Sequence, residues 1–281
     1  MTGKFTKSMF EKIKEAVEEQ KNQGGYKDIM KTPVGHSYLV RLLPNIKNPA
    51  NTFFHYHHHS WTSQRTGQFV TSICPTTYGE ECPICEKSIQ LYSNDEREKA
   101  KLIGRKENWL VNAYIIKNPR EPKLDGSVKI IRYGRQLNKI IEEAINGEDA
   151  EEFGASIFDL SEDGCNFRIK VEKNDGGWAT YVSSKFISSS PIVGMNGSKI
   201  KDTYDSIFDL ECIFDKSSYD ELEEMMLRHT KWGSTSKSTP SRDDDSDDDD
   251  DLDISDSSDD SDDLDLDDLD DKLEDVLKDL G

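Results

Sequence analysis

Between His57 and Cys85 the chain reads HHHSWTSQRTGQFVTSICPTTYGEECPIC. Cys82-Pro83-Ile84-Cys85 is a C-x2-C knuckle, a spacing that lets two thiolates grip one ion from a tight turn. Zn2+ takes four ligands in a tetrahedron, commonly three cysteines and a histidine in structural sites. Cys74 supplies a third thiolate, and the histidine run supplies the fourth ligand. Side chains alternate along a strand, so a strand over 51–61 places Phe53, His55, His57, His59 and Trp61 on one face. His59, the nearest to Cys74, is taken as the ligand, with His57 and His55 open alternatives behind it. A lone C-x-x-C also suits a redox pair, and a histidine run suits an exposed polar strand. A third cysteine together with a histidine favours one structural zinc per chain. Four protein ligands close the coordination sphere, and no H-x-E or H-E-x-x-H motif supplies a general base. No catalytic residue is therefore assigned, and the chain is not read as an enzyme. Five cysteines with no apolar leader at the N-terminus point to reduced thiols rather than disulfides. Cys165 and Cys212, far off in sequence, are expected as buried thiols.

The net charge of −20 misleads as an average. Residues 241–281 hold 22 acidic and 3 basic side chains, whereas residues 1–240 hold 34 and 33. The excess sits in one tail, and the rest of the chain is free to carry local basic patches. No apolar run is long enough for a membrane span.

Residues 1–22 read as a helical arm, with Met9, Phe10, Ile13, Ala16 and Val17 at helical spacing. Lys4, Lys7 and Ser8 precede the helix, which suits an interaction arm, and Gly24-Gly25 break it. A mixed region follows to about residue 235. Strands are expected at 36–44 and 51–61, with a hairpin of strands at 108–117 and 127–134. An amphipathic helix is expected at 136–146. CNFRIKVEK and GWATYVSSKF read as a second hairpin around Gly176-Gly177. A helix over 217–229 opens on a capping signal, Ser218 then Glu221. Several strands with few helices suggest a partly open β-barrel with additions. Residues 233–262 have too few apolar side chains to bury a core and are expected to be disordered. Leucines interleaved with acids from Leu264 to Leu280 suit a segment that folds onto partners.

Basic and aromatic residues recur together. Arg105-Lys106 precede Trp109; Arg132, Tyr133 and Arg135 form a second cluster; Trp178 and Tyr181 near Lys185 form a third. A basic groove with aromatic faces is what a sequence-tolerant binder of single strands needs. Core packing competes for each aromatic, and a solvated face competes for Arg105, Lys106 and Arg132. Tyr92, just past the knuckle, is a further candidate.

In combination these features resemble the single-stranded DNA-binding (helix-destabilising) proteins of T-even-type bacteriophages. The resemblance runs through His59, Cys74 and C-P-I-C, then RKENWLVNAYIIKNPREP with GSVKIIRYGRQLNKI. It continues through GCNFRIKV and GWATYVSSKF to the acidic tail. It implies an OB-fold-like core at 23–235, with a zinc subdomain over about 55–105. It also implies a cooperativity arm at 1–22 and an acidic protein-interaction tail at 236–281. It places Arg105, Lys106, Trp109, Arg132, Tyr133, Trp178 and Tyr181 at or near a DNA-facing cleft. The implied function is cooperative coating of single-stranded DNA in phage replication, recombination and repair, in the cytoplasm of the infected host. Self-association through the arm (Lys4, Lys7, Ser8) follows. So does recruitment of polymerase, helicase-loader and recombinase-mediator types of protein through the tail. Three departures stand out: the spacing from His59 to Cys74 is longer than the family's usual one, which leaves His57 or His55 open as the ligand; Phe5 interrupts the basic-hydroxyl motif of the arm; and Ile131 stands where an aromatic is expected. A zinc-stapled RNA-binding protein and an acidic adaptor or chaperone remain alternative readings.

Overall fold

A computed structural model describes residues 27–232. The expectations for the arm and for the acidic tail lie outside the described residues. The described chain forms two compact units, one of residues 27–55 and 107–215, the other of residues 56–106 and 216–232. Among the described residues, no helix is long and apolar enough to cross a membrane. The fold is mixed α+β, with an antiparallel sheet and few helices.

The larger unit is built on β1 (Ser37–Leu43). It pairs antiparallel with β4 (Arg105–Lys117) on one side and with β6 (Asn166–Lys170) on the other. Tyr38 and Val40 to Leu43 are buried, so the strand has buried side chains on both faces. Tyr38, Val40 and Leu42 pack with Val111, Ala113 and Ile115 of β4 and with Leu137, Ile141 and Ala144 of helix α3 (Arg135–Asn146). Leu43 turns the other way, toward Tyr114, Leu160 and Ile192. Helix α4 (Gly197–Asp205) covers that second cluster through Ile200 and Tyr204. This is the period-2 alternation of a strand with a core on each side. The expected hairpin forms as β4 with β5 (Val128–Tyr133), and Trp109 stands opposite Tyr133.

Arg41 is the charge within this buried strand, with no exposed surface. Its Nε donates to Asn166 Oδ1 at 2.9 Å. Nη1 donates to the carbonyls of Asp159 and Ser161 at 2.8 and 3.0 Å, and Nη2 to that of Ser190 at 2.8 Å. A buried charge is tolerable only when its donors are satisfied in this way. Gly164 lies against the guanidinium because a Cβ there would fall 2.3 Å from Nη1 and 1.8 Å from the Asp159 carbonyl.

The second hairpin is divided rather than continuous. β6 takes β9 (Lys185–Ile187) as its outer partner. Only β7 (Glu172–Lys173) and β8 (Ala179–Thr180) form the turn-linked pair, around Gly177 at φ +81°. The Ser184 hydroxyl accepts the Lys170 amide at 2.9 Å, and Val171 hydrogen-bonds to Gly35 and His36 instead. The ladder is thus interrupted between the two pairings.

In the smaller unit the latter part of β2 (Phe53–Thr62) pairs with β3 (Phe69–Ile73). Helices α1 (Pro83–Ser93), α2 (Arg97–Leu102) and α5 (Tyr219–His229) complete it. Pro83 occupies the first position of α1, where a missing N–H costs nothing. Helix α5 carries both bonds of the capping box between Ser218 and Glu221. Trp61, Ile84, Leu91, Ile103, Leu222 and Met226 form the core. Cys165 is buried as expected, but Cys212 is exposed. In the short turn Leu210–Cys212 the buried position goes to Leu210, and the Cys212 thiol faces Asp209.

Candidate metal centre and nucleic-acid interface

Three elements of the smaller unit converge on one point. β2 brings His59, the end of β3 brings Cys74, and α1 brings Cys82 and Cys85 at its start. Their ligand atoms all lie within 4.8 Å of one another. Cys74 Sγ and Cys85 Sγ are 3.5 Å apart, and His59 Nε2 is 3.3 Å from Cys82 Sγ and 3.5 Å from Cys85 Sγ. A tetrahedral zinc with ordinary bond lengths needs ligand separations of about 3.6–3.8 Å. His59 is fully buried, and its Nδ1 donates to the Ile103 carbonyl at 2.8 Å. That bond turns the lone pair of Nε2 toward the thiols, the usual second contact of a metal-ligating histidine. Of the three histidines weighed from sequence, His59 joins the cysteines. His55 and His57 fall outside this cluster.

The protonation of the four groups is linked. Burial alone would lower the His59 imidazole, but hydrogen bonds to Cys74 and Cys82 outweigh it and raise it to about 9. Hydrogen bonds from Cys82 and Cys85 push the Cys74 thiol well down, against burial. Its hydrogen bonds with Cys74 and Cys82, then burial, push the Cys85 thiol up. Metal ligation by thiols and an imidazole requires their deprotonation, so a divalent ion would displace protons from this set. The donor set therefore fits zinc.

In the larger unit three rings form a row across the sheet. Trp109 on β4 stacks on His55 of β2, with centroids 4.8 Å apart and planes at 23°. On its other side lies Tyr133 of β5, at 6.1 Å and 15°. Tyr133 is only 4% exposed and belongs to the core. Burial pushes its hydroxyl well above the usual phenol range, helped by Glu142. Trp109 is half-buried and His55 exposed. Glu107, two residues before Trp109 and thus on its face of the strand, accepts from His55 Nε2 at 2.7 Å and from Arg135 Nε at 2.8 Å. Partial burial works against the Glu107 carboxylate, but Arg135 and then His55 outweigh it and hold the group below the usual range. Arg135 opens α3, whose first turn has no acidic residue and no side-chain cap.

Residues 35–232 match the family described as gp32 DNA binding protein like. The chain belongs to this family. It is also similar to the single-stranded DNA-binding protein of Enterobacteria phage T4, at 28% identity over 203 residues. A second relative, the single-stranded DNA-binding protein of Enterobacteria phage T2, is 26% identical over 201 residues. Each match takes in 69% of this chain and 64% of the relative, so the chain spans just under two thirds of these relatives' length.

The remaining expected binding residues of this gp32-like domain take varied positions. Arg105, exposed at the start of β4, donates to Thr76 Oγ1 at 3.4 Å beside the cysteine cluster, and Lys106 is half-buried. Arg132 is half-buried on β5. Tyr181 packs against the larger core, and its amide donates to Gln136 Oε1 at 2.8 Å, close to Arg135. Trp178 is 37% exposed at the tip of the β7–β8 hairpin. Tyr92, 49% exposed, lies in the last turn of α1. Ile131, where an aromatic was expected, is core. Lys4, Lys7 and Ser8 lie outside the described residues. Sequence reasoning missed Glu107 and the place of His55 beside Trp109; the period-2 relation of Glu107 to Trp109 was the available signal.

Proposed function

We propose that this protein binds and coats single-stranded DNA with little regard to sequence. The observation that carries the reading is the family membership of residues 35–232, whose described fold presents the graded ring row beside basic side chains. Stacking on protein rings is sequence-tolerant because every base has a π-face. In this reading Trp178, Tyr181 and Tyr92 offer rings, and Trp109, backed by Tyr133 from the core, belongs to the ring row that the DNA meets. Arg105, Lys106, Arg132 and Arg135 meet phosphates. The sheet is proposed as an OB-fold-like core. The His59, Cys74, Cys82 and Cys85 set is proposed to hold one zinc, which would supply folding energy rather than chemistry and brace the smaller unit. The protein acts as a binder, not as an enzyme.

The proposed organisation is an arm at 1–22, a core at 23–235 with a zinc subdomain over about 55–105, and a tail at 236–281. The arm joins neighbouring copies along DNA through Lys4, Lys7 and Ser8. The tail recruits replication and recombination proteins, of polymerase, helicase-loader and recombinase-mediator type, in the infected host cell. The names of the T4 and T2 relatives support the DNA-binding part.

Titration of the full chain with a fluorescently labelled oligothymidylate tests the reading, with duplex DNA and RNA as competitors and salt as a variable. Tight binding that weakens steeply with salt and is resisted by duplex is expected. Equal or tighter binding to RNA, or none to the oligonucleotide, overturns it.

A further inference from the structure

We propose that His55 is a base-stacking contact of the nucleic-acid site, held in place by Glu107. The inference rests on the single-strand reading above and names a residue that reading does not use.

Exposure rises along the ring row, from buried Tyr133 through half-buried Trp109 to exposed His55. The side chain of His55 is 44% exposed. Of the three rings the imidazole is therefore the most open to solvent, while the indole lies between two rings of this protein. A base that adds to the row meets His55 first. The imidazole is also fixed in orientation. Its Nε2 is bonded to Glu107 Oε1 at 2.7 Å, which opposes rotation of the ring off the indole.

Glu107 would be an odd neighbour for a phosphate chain if its charge stood alone. Arg135 Nε lies 2.8 Å from its second oxygen, which offsets that charge and fixes the carboxylate. Glu107 is thus a positioning residue, and His55 is the group that touches DNA. His55 is not part of the cysteine centre, where His59 is the histidine beside the three thiols. Packing alone is a poor account of His55, since a core ring would be buried as Tyr133 is.

The test uses full-length protein and a short labelled oligothymidylate, read by anisotropy over a range of salt. His55→Ala, His55→Phe, His55→Gln and Glu107→Gln are compared with wild type, with metal content and melting temperature measured on each. His55→Ala is expected to weaken binding about tenfold, with metal content and the salt slope unchanged. His55→Phe should restore most of the affinity, and Glu107→Gln should give a smaller loss. Wild-type affinity in His55→Ala overturns the proposal. So does a salt slope reduced by about one, which marks a phosphate contact instead. Rescue by Gln rather than Phe marks a hydrogen bond and also overturns stacking. Loss of metal in His55→Ala would place the residue in the metal centre and overturn the proposal too. Failure of the wild-type protein to bind the oligonucleotide is a separate result, which removes the single-strand reading itself.

Discussion

His59 Nδ1 donates to the carbonyl of Ile103 at 2.8 Å, at the point where α2 ends. The bond ties the proposed metal ligand to the end of a helix, so loss of metal should be felt well beyond the four donors. Cys74, Cys82 and Ile103 belong to one apolar cluster with Leu222 and Met226 of α5. Zinc at such sites contributes about 10–16 kcal/mol in model peptides. Chelation, or Cys82→Ser, is expected to abolish the fold of the smaller unit while the larger unit survives. Calorimetry should then lose one transition and keep another. A Cys82→Ser protein that retains full metal and one unchanged melting profile removes zinc from this site.

Arg41 makes a different kind of staple, with no metal and no exposed surface. Arg41→Met leaves the carbonyls of Asp159, Ser161 and Ser190 and the Asn166 amide oxygen without the donors they now have. Each buried unsatisfied acceptor costs about 1–3 kcal/mol, and a loss of about 3 kcal/mol or more is expected. Urea unfolding measures it through a lower midpoint at unchanged slope. Gly164→Ala should act on the same network, because its methyl group would enter the space of the guanidinium.

The Glu107 carboxyl, held below its ordinary range, sets a pH dependence of known sign. A depressed carboxyl contributes stability above its unfolded value, about pH 4.3. That contribution disappears as pH falls through the lower folded value. Wild type should therefore exceed Glu107→Gln in stability at pH 7, and the difference should vanish in acid below pH 4. Its partners His55 and Arg135 are well exposed, at 44% and 59%. Screening then limits the difference to under about 1 kcal/mol. Urea titrations of the two proteins across that pH range check it. A difference that grows in acid contradicts the assignment.

The legible parts of this protein are those encoded by short-range spacing. The C-x2-C knuckle, the β4–β5 alternation and the Ser218–Glu221 cap each lie within one turn, strand or hairpin, where local chemistry decides the geometry. Period 2 alone put three histidines on one face, and nearness to Cys74 chose His59, because a common strand face does not say which residue meets a partner loop. The pairing of β2 with β3 and the Ile103 carbonyl single out His59. Arg41 was illegible for a related reason. A charge in a strand reads as solvent-facing, and its acceptors come from residues 118 to 149 positions away. The row of His55, Trp109 and Tyr133 joins three strands, and each ring alone reads equally well as core. Cys212 reads as a buried thiol by residue type, yet the apolar neighbour Leu210 outcompetes it for the one inward position of its turn.

The tail carries the last prediction. Residues 241–281 hold 19 more acidic than basic side chains, close to the entire net charge of the chain. Such a segment can compete with phosphates for Arg and Lys side chains at low ionic strength, and salt screens that competition along with DNA binding itself. Deleting 241–281 should raise affinity for single-stranded DNA at low salt, and the two proteins should converge as salt rises. A truncated protein also has less like-charge repulsion from DNA, but that long-range effect changes the association rate more than the dissociation rate. Competition inside the binding surface should instead return when the isolated tail peptide is added back at high concentration. Stopped-flow association and dissociation rates with and without the peptide separate the two. Restoration of weak binding by the peptide supports occupancy of the surface, and a faster association rate that the peptide does not reverse leaves only the general field.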